Sequence, residues 1–172
     1  MDARRRSGLA GALVLIGLGV WFLAVQLSPA VRAFAYGRYT WPLPIIGLGL
    51  GLFVIGLITW TPGLAIPACI VGGIGGLLYW QNVTGHWASW SYAWSLIPGF
   101  VGVGIILAGL MRGRPRGALI GGGWLLLISM VLFGIFGSFL GGLVTVGQLW
   151  PVLLIVAGVI VLGQAFLRPR QV

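Results

Sequence analysis

The chain has 172 residues, of which 59% are hydrophobic and 6% are charged, and its formal net charge is +9. A soluble domain carries roughly 25% charged residues, so this composition excludes a water-soluble globule and predicts a membrane protein. The ten basic residues are all arginines that stand in short groups between apolar segments. This arrangement favours roles in membrane topology and in contact with anionic lipid over nucleic-acid binding.

The first predicted span covers residues 8–27, which contain no charge and follow the basic group Arg4, Arg5 and Arg6. At 1.5 Å per residue this helix would reach across a bilayer core of roughly 30 Å. A small-x-small signal cleavage pattern stands at residues 33–35. We expect the span to be retained, because its Gly-Leu-Ala start and its Gln26 recur with the same spacing at residues 63–65 and Gln81.

A segment that begins with tryptophan and continues as a glycine-rich apolar run occurs three times. The three copies begin at Trp41, Trp94 and Trp150 and read WPLPIIGLGLGLFVIG, WSLIPGFVGVGIILAG and WPVLLIVAGVIVLG. When Trp41 is aligned with Trp94, three glycines in each copy coincide: Gly49, Gly51 and Gly56 fall on Gly102, Gly104 and Gly109. Glycine lets membrane helices approach closely, so the repeat predicts equivalent helix contacts.

The remaining predicted spans cover residues 41–60, 63–80, 93–111, 117–136 and 148–167. We therefore predict an all-α membrane protein of six transmembrane helices, with residues 1–172 as a single integral membrane domain. Its three helical hairpins would cover approximately residues 8–60, 63–111 and 117–167. Each hairpin crosses twice, so the repeats are parallel in orientation. Small-xxx-small pairs within two spans, Gly47 with Gly51 and Gly72 with Gly76, predict close helix contacts.

Three of the five connections between these spans are long, and we predict each of the three to be a loop. Residues 28–40 carry Arg32 and Arg38, residues 81–92 form the most polar stretch, and residues 137–147 are uncharged. Four glutamines near span ends are Gln26, Gln81, Gln148 and Gln164. We expect solvation at the membrane interface for most of them, with hydrogen bonds between helices as the alternative.

The distribution of arginine predicts the orientation of the chain. With the N-terminus inside, the inner segments hold eight arginines and the outer loops hold two. The inner set is Arg4, Arg5, Arg6, Arg112, Arg114, Arg116, Arg168 and Arg170. We therefore predict a multi-pass protein of the bacterial cytoplasmic membrane with both termini in the cytoplasm.

Side chains for catalysis or metal binding are almost absent from the sequence. The single acid is Asp2, the single histidine is His86, the single cysteine is Cys69, and no charged residue lies within a predicted span. Carboxylate pairs, zinc ligand sets and catalytic triads cannot be assembled from these residues. We predict no enzyme activity, no catalytic, cofactor-binding or metal-binding residue, and no cofactor.

Candidate contacts with a partner or with the membrane interface lie in the outer loops. They are Trp41, His86, Trp87, Trp90, Trp94 and Trp150. If residues 87–94 are helical, their three tryptophans share one face and could dock a partner; the alternative is an aromatic belt at the interface. His86 could likewise sense external pH or simply be a polar residue in a wet loop.

Candidate contacts with anionic lipid lie in the inner segments. They are Arg4, Arg5, Arg6, Arg112, Arg114 and Arg116. Each could contribute about 1 kcal/mol near an anionic surface. The alternative is a role in topology alone, and the two roles are compatible.

The repeated unit resembles the LiaI/LiaF-like transmembrane family of bacterial envelope proteins. The matching features are an arginine-bearing start followed by a glycine-rich helix, residues 4–21, and then Trp41-Pro42 and a second helix to residue 53. They recur in residues 94–108 and 150–162. The resemblance implies a membrane module without catalytic residues. It also implies a role in envelope-stress signalling, since LiaF-type members restrain a membrane histidine kinase.

We therefore expect a non-catalytic integral membrane protein that binds membrane lipids and another membrane protein, with its oligomeric state left open. A first alternative is a structural subunit of a larger membrane complex. A second is a small transport protein for a neutral solute, whose path would be lined by the glutamines and by Thr59, Ser129 and Thr145.

Overall fold

The computed structural model describes residues 3–140, together with the single positions Ile155 and Gly158. Within residues 3–140 the regular elements are all helical. The helices are α1 (Ala3–Leu27), α2 (Pro29–Tyr36), α3 (Leu43–Ile58), α4 (Ala65–Thr84), α5 (Trp90–Ala93), α6 (Ile97–Met111) and α7 (Pro115–Leu140). Short 3₁₀ turns at Pro62–Leu64, Trp87–Ser89 and Trp94–Leu96 join several of them. This confirms the all-α class predicted from the sequence.

Four helical stretches in the described part of the chain are long and apolar enough to cross a membrane. They are Arg5–Leu27, Pro62–Thr84, Trp87–Met111 and Pro115–Leu140. A fifth apolar helix, Leu43–Ile58, is shorter at 16 residues. These five correspond to the first five predicted spans, whereas the sixth, residues 148–167, lies outside the described residues.

Small residues fill the contacts between helices, and large apolar side chains point outward. The buried hydrophobic residues of the described chain are six alanines and Val25. Large side chains such as Leu15, Ile58 and Phe139 are 71%, 74% and 84% exposed. A soluble protein buries its large hydrophobic residues, and close approach through small residues is typical of helices packed in a membrane.

The long helices from α3 onward pack as an antiparallel series. A Cβ added at Gly49 of α3 would lie 2.6 Å from the Cα of Gly72 in α4. A Cβ at Gly73 would lie 2.5 Å from the ring of Phe100 in α6, and one at Gly102 would lie 2.5 Å from the carbonyl oxygen of Gly122 in α7. The most extensive packing thus joins α3 to α4, α4 to α6, and α6 to α7. Helix α1 packs mainly on α2 and touches α3 less.

Only some of the predicted glycine contacts are formed. Gly72 packs on Gly49, but none of the described residues lies within 4 Å of a Cβ added at Gly47, Gly51 or Gly76. The small-xxx-small spacing was therefore the wrong criterion here. Gly49 and Gly102, which the repeat alignment pairs, each face a glycine of the following helix. The repeat predicted these contacts better than the short motif.

Helices α3 and α6 end in the same way. Thr61 N–H donates to Gly56 O at 2.8 Å and Trp60 N–H donates to Leu57 O at 3.2 Å, which is a Schellman motif. At the end of α6 the corresponding bonds run from Arg114 to Gly109 and from Gly113 to Leu110. The left-handed position is Gly113 (φ 69°) in α6 and Trp60 (φ 52°) in α3.

The predicted loops are more helical than the sequence indicated. Residues 29–36 form α2, because Ser28 Oγ accepts from Val31 N–H as an N-cap and Pro29 suits the first turn. Helix α4 continues to Thr84, and residues 87–96 form helical turns that lead into α6. Helix α7 extends to Leu140, so residues 137–140 of the predicted loop are helical, and residues 141–147 lie outside the described residues.

Candidate functional site

The end of the helices at which α3 begins and α4 stops gathers most of the predicted contact residues. We call it the aromatic end and define it by Trp41, Trp80, His86, Trp87, Trp90 and Trp94. Trp41 stacks on Trp87 with ring centroids 6.3 Å apart and planes 10° apart. His86 stacks on Trp80 at 6.1 Å and 16°. Residues from the α2–α3 connection and from the end of α4 are thereby brought together.

The three tryptophans between α4 and α6 remain accessible. Trp87, Trp90 and Trp94 are 46%, 40% and 41% exposed. Trp94 also packs on Phe136 of α7, with ring centroids 5.2 Å apart, and its Nε1–H donates to Ser91 O at 3.0 Å. The aromatic end therefore combines rings that are fixed by neighbours with faces that stay open. Trp150, the sixth predicted contact, lies outside the described residues.

Hydrogen bonds fix the connections at this end. Asn82 Nδ2 donates to Arg38 O at 2.8 Å, which ties the end of α4 to the α2–α3 connection. Ser129 Oγ of α7 donates to Ser95 O at 2.8 Å, and both serine side chains are buried. Since these bonds join segments that are 44 and 34 residues apart in the chain, the aromatic end is a fixed platform rather than a set of independent loops.

Gln81 is buried at the base of the aromatic end, where its side chain is 0% exposed. Its Nε2 donates to Ser89 Oγ at 3.0 Å, and Ser89 Oγ donates to His86 O at 2.6 Å. Within the described residues its Oε1 has no hydrogen-bond partner. The expectation of solvation is wrong for Gln81. Gln26, which is aligned with it in the repeat, is exposed, so the sequence pattern could not distinguish the two.

The opposite end of the helices carries most of the arginines of the described chain. Arg112, Arg114 and Arg116 are exposed between α6 and α7 or in the first turn of α7. Nη2 of Arg112 lies 3.7 Å from a Cβ built on Gly63, so this side chain reaches the α3–α4 turn. We call this the arginine end. At the start of α1, Arg5 is exposed and Arg6 is half-buried; Arg4 belongs to the same helical turn.

Neither the aromatic end nor the arginine end shows a metal site in the part of the chain that the structure describes. No three His, Cys, Asp or Glu side chains cluster as metal ligands within residues 3–140. Of the polar residues considered for a solute path, Thr59 donates to Ile55 O at 2.7 Å in the turn after α3. Ser129 bonds Ser95 near the other end, and Thr145 lies outside the described residues. The hydroxyl groups of Thr59 and Ser129 are thus each hydrogen-bonded to a backbone carbonyl of the protein.

The chain was compared with protein-family models, with curated proteins and with solved structures, and none of the three comparisons found a match.

Proposed function

We propose that this chain is a multi-pass protein of the bacterial cytoplasmic membrane with six spans and both termini in the cytoplasm. The proposal is supported by four long apolar helices, a shorter fifth one, and large apolar side chains on their outer surfaces. Residues 148–167 supply the sixth apolar stretch. The arginine end would face the cytoplasm, where the positive-inside rule places basic residues, and the aromatic end would lie at the outer interface.

Within that membrane we propose a non-catalytic role in binding another membrane protein and lipids. The observation that carries this proposal is the exposure of Trp87, Trp90 and Trp94 on a fixed platform. Exposed aromatic side chains are enriched at protein interfaces. The arginine end would contact anionic headgroups. The resemblance to LiaI/LiaF-like proteins favours a partner from envelope-stress signalling.

The test is a comparative pull-down of the full chain, tagged and expressed in its native membrane. Wild type, the variant Trp87→Ala/Trp90→Ala and the control Trp60→Ala would be purified in mild detergent and analysed by quantitative mass spectrometry. Trp60 is 62% exposed but lies in the α3–α4 turn, away from the aromatic end. We expect one membrane protein that copurifies with wild type and Trp60→Ala and is lost from the double variant.

Other outcomes would replace this proposal. A membrane protein that copurifies with the wild type and with both variants would show that its contact does not depend on Trp87 and Trp90. Copurification in fixed stoichiometry with one large complex would favour the structural-subunit alternative. Specific movement of a neutral solute into liposomes that contain the purified protein alone would favour transport.

The orientation can be tested independently of any partner. In a Cys69→Ala background, the exposed Ser91 and Arg114 are each replaced by cysteine and treated with a membrane-impermeant maleimide on intact spheroplasts. We expect labelling of Ser91→Cys before lysis and of Arg114→Cys only after it. The reverse pattern would invert the proposed topology.

A further inference from the structure

An apolar groove of about 590 Å³ separates α1 from α3. Its walls include Leu18 and Trp21 of α1 and the glycines Gly47 and Gly51 of α3, and Phe34 of α2 lines it as well. Its fourteen lining residues are all apolar or glycine. The groove is thus an elongated apolar space between two helices that would both lie in the membrane.

The repeat shows why this space is open. With Trp41 aligned on Trp94, Gly47 corresponds to Phe100 and Gly51 corresponds to Gly104. In the second copy, the Phe100 ring packs against Gly73, and a Cβ on Gly104 would lie 2.6 Å from the Cα of Ile66, so α4 and α6 are in direct contact. At Gly47 and Gly51 no atom of residues 3–140 lies within 4 Å of an added Cβ. The groove therefore lies where, in the second copy, an aromatic ring and a neighbouring helix fill the space.

Two arginines lie close in sequence to Phe34, which lines the groove: Arg32 on α2 and Arg38 in the connection that follows it. Arg32, on the same short helix as Phe34, donates from Nε to Val25 O at 3.3 Å and from Nη2 to Gln26 O at 3.0 Å. The guanidinium carbon of Arg38 lies 5.7 Å from the centroid of the Tyr39 ring. The two bonds use only part of the five-donor capacity of Arg32.

Asp2 is the one acidic side chain in the sequence, so no other side chain can neutralise this charge. These two arginines also lie on the side of the membrane that the positive-inside rule leaves poor in basic residues. An anionic group from outside the chain would complement them.

We propose that the groove holds one acyl chain of an anionic phospholipid whose phosphate binds Arg32 and Arg38. The apolar groove accounts for the chain of the lipid, and the two arginines account for its charge. This inference rests on the proposed membrane insertion but not on the proposed protein partner. It also differs from headgroup contact at the arginine end, because it needs a groove of defined shape.

The test is native mass spectrometry of the full chain in mild detergent, titrated with dioleoyl phosphatidylglycerol or dioleoyl phosphatidylcholine. We expect one saturable lipid adduct. The protein should bind phosphatidylglycerol at least about fivefold more tightly than phosphatidylcholine, which is the affinity ratio expected for one arginine near an anionic surface. Gly47→Phe, which restores the aromatic ring of the second copy, should abolish this adduct. Gly76→Phe is the matched control, because Gly76 is exposed on α4, does not line the groove and has nothing within 4 Å of an added Cβ.

A second variant tests the charge without replacing a residue that lines the groove, and phosphatidylcholine binding reports whether the groove is intact. Arg32→Gln/Arg38→Gln should lower phosphatidylglycerol affinity to that of phosphatidylcholine and leave phosphatidylcholine binding unchanged. Equal binding of the two lipids by wild type, or an adduct that survives in Gly47→Phe, would overturn the proposal. The maleimide labelling of Ser91→Cys reports membrane insertion separately, so failure of the groove proposal and failure of insertion give different results.

Discussion

Helices α3 and α6 have related sequences and pack in a similar way on one side but differently on the other. Toward the helix that follows, Gly49 and Gly102 each meet a glycine of the neighbour. Toward the helix that precedes, Gly104 of α6 packs on Ile66, whereas Gly51 of α3 borders the groove. A repeated glycine thus permits close approach, but the side chains and path of the neighbouring helix decide whether the approach occurs.

The largest difference between the two copies should appear when the paired glycines Gly51 and Gly104 are each replaced by alanine. Gly104→Ala places its Cβ against the backbone of Ile66 and should lower the free energy of unfolding by about 1 to 3 kcal/mol, as expected for overpacking. Gly51→Ala has open space and should leave stability unchanged or raise it by up to ~1 kcal/mol through helix propensity. Unfolding in mixed detergent–SDS micelles would measure both.

The matched controls are Gly49→Ala and Gly102→Ala. Each alters the contact with the following helix, which both copies of the repeat form. Both would force an added methyl group against backbone atoms and should destabilise the protein to a similar extent. Equal losses from Gly51→Ala and Gly104→Ala would contradict the difference described above.

Smaller changes in stability are expected at the C-terminal ends of α3 and α6, and they should have opposite signs at the two ends. Trp60 occupies a left-handed conformation that Gly113 adopts in the second copy, and this conformation costs a residue with a Cβ roughly 1 to 2 kcal/mol. Trp60→Gly should therefore raise stability by about 1 kcal/mol, and Gly113→Ala should lower it by a similar amount. The same micelle titration measures both; changes in the same direction would show that the two ends are not equivalent.

The smallest effects concern the paired rings at the aromatic end. Double-mutant cycles to alanine for Trp41 with Trp87 and for Trp94 with Phe136 should each give a coupling of about 0.5 to 1 kcal/mol, because the rings are in contact but partly exposed. Trp41 and Trp94 occupy equivalent positions in the repeat. Strictly additive losses in both cycles would mean that the ring contacts do not stabilise the platform.

The sequence predicted the features that depend on long apolar runs and on the repeat. The first five predicted spans coincide with apolar helices, Gly49 and Gly102 make helix contacts, and Trp41 and Trp94 lie at the same end of the helices. Apolar length and tryptophan placement follow directly from residue type, so a single sequence carries enough information for them.

The features that were missed depend on neighbours that the pattern cannot specify. Gln26 and Gln81 align, yet one is exposed and the other fully buried, because only Gln81 has Ser89 beside it. The groove was also missed, since its opening depends on where α1 runs as well as on Gly47. Helix α2 did have a local signal in Ser28-Pro29, an N-cap followed by a first-turn proline.

The 16 residues of α3 have a consequence for the surrounding bilayer in the proposed membrane setting. The helix is about 24 Å long, whereas the 23 to 26 residues of its long neighbours span about 35 to 39 Å. Leu50 and Ile58 of α3 are exposed, so its flank would be in contact with lipid. Hydrophobic mismatch there costs a fraction of a kcal/mol per Å and is relieved by local thinning of the bilayer. The protein would therefore deform the membrane unevenly around its circumference and favour neighbours that share the thin side.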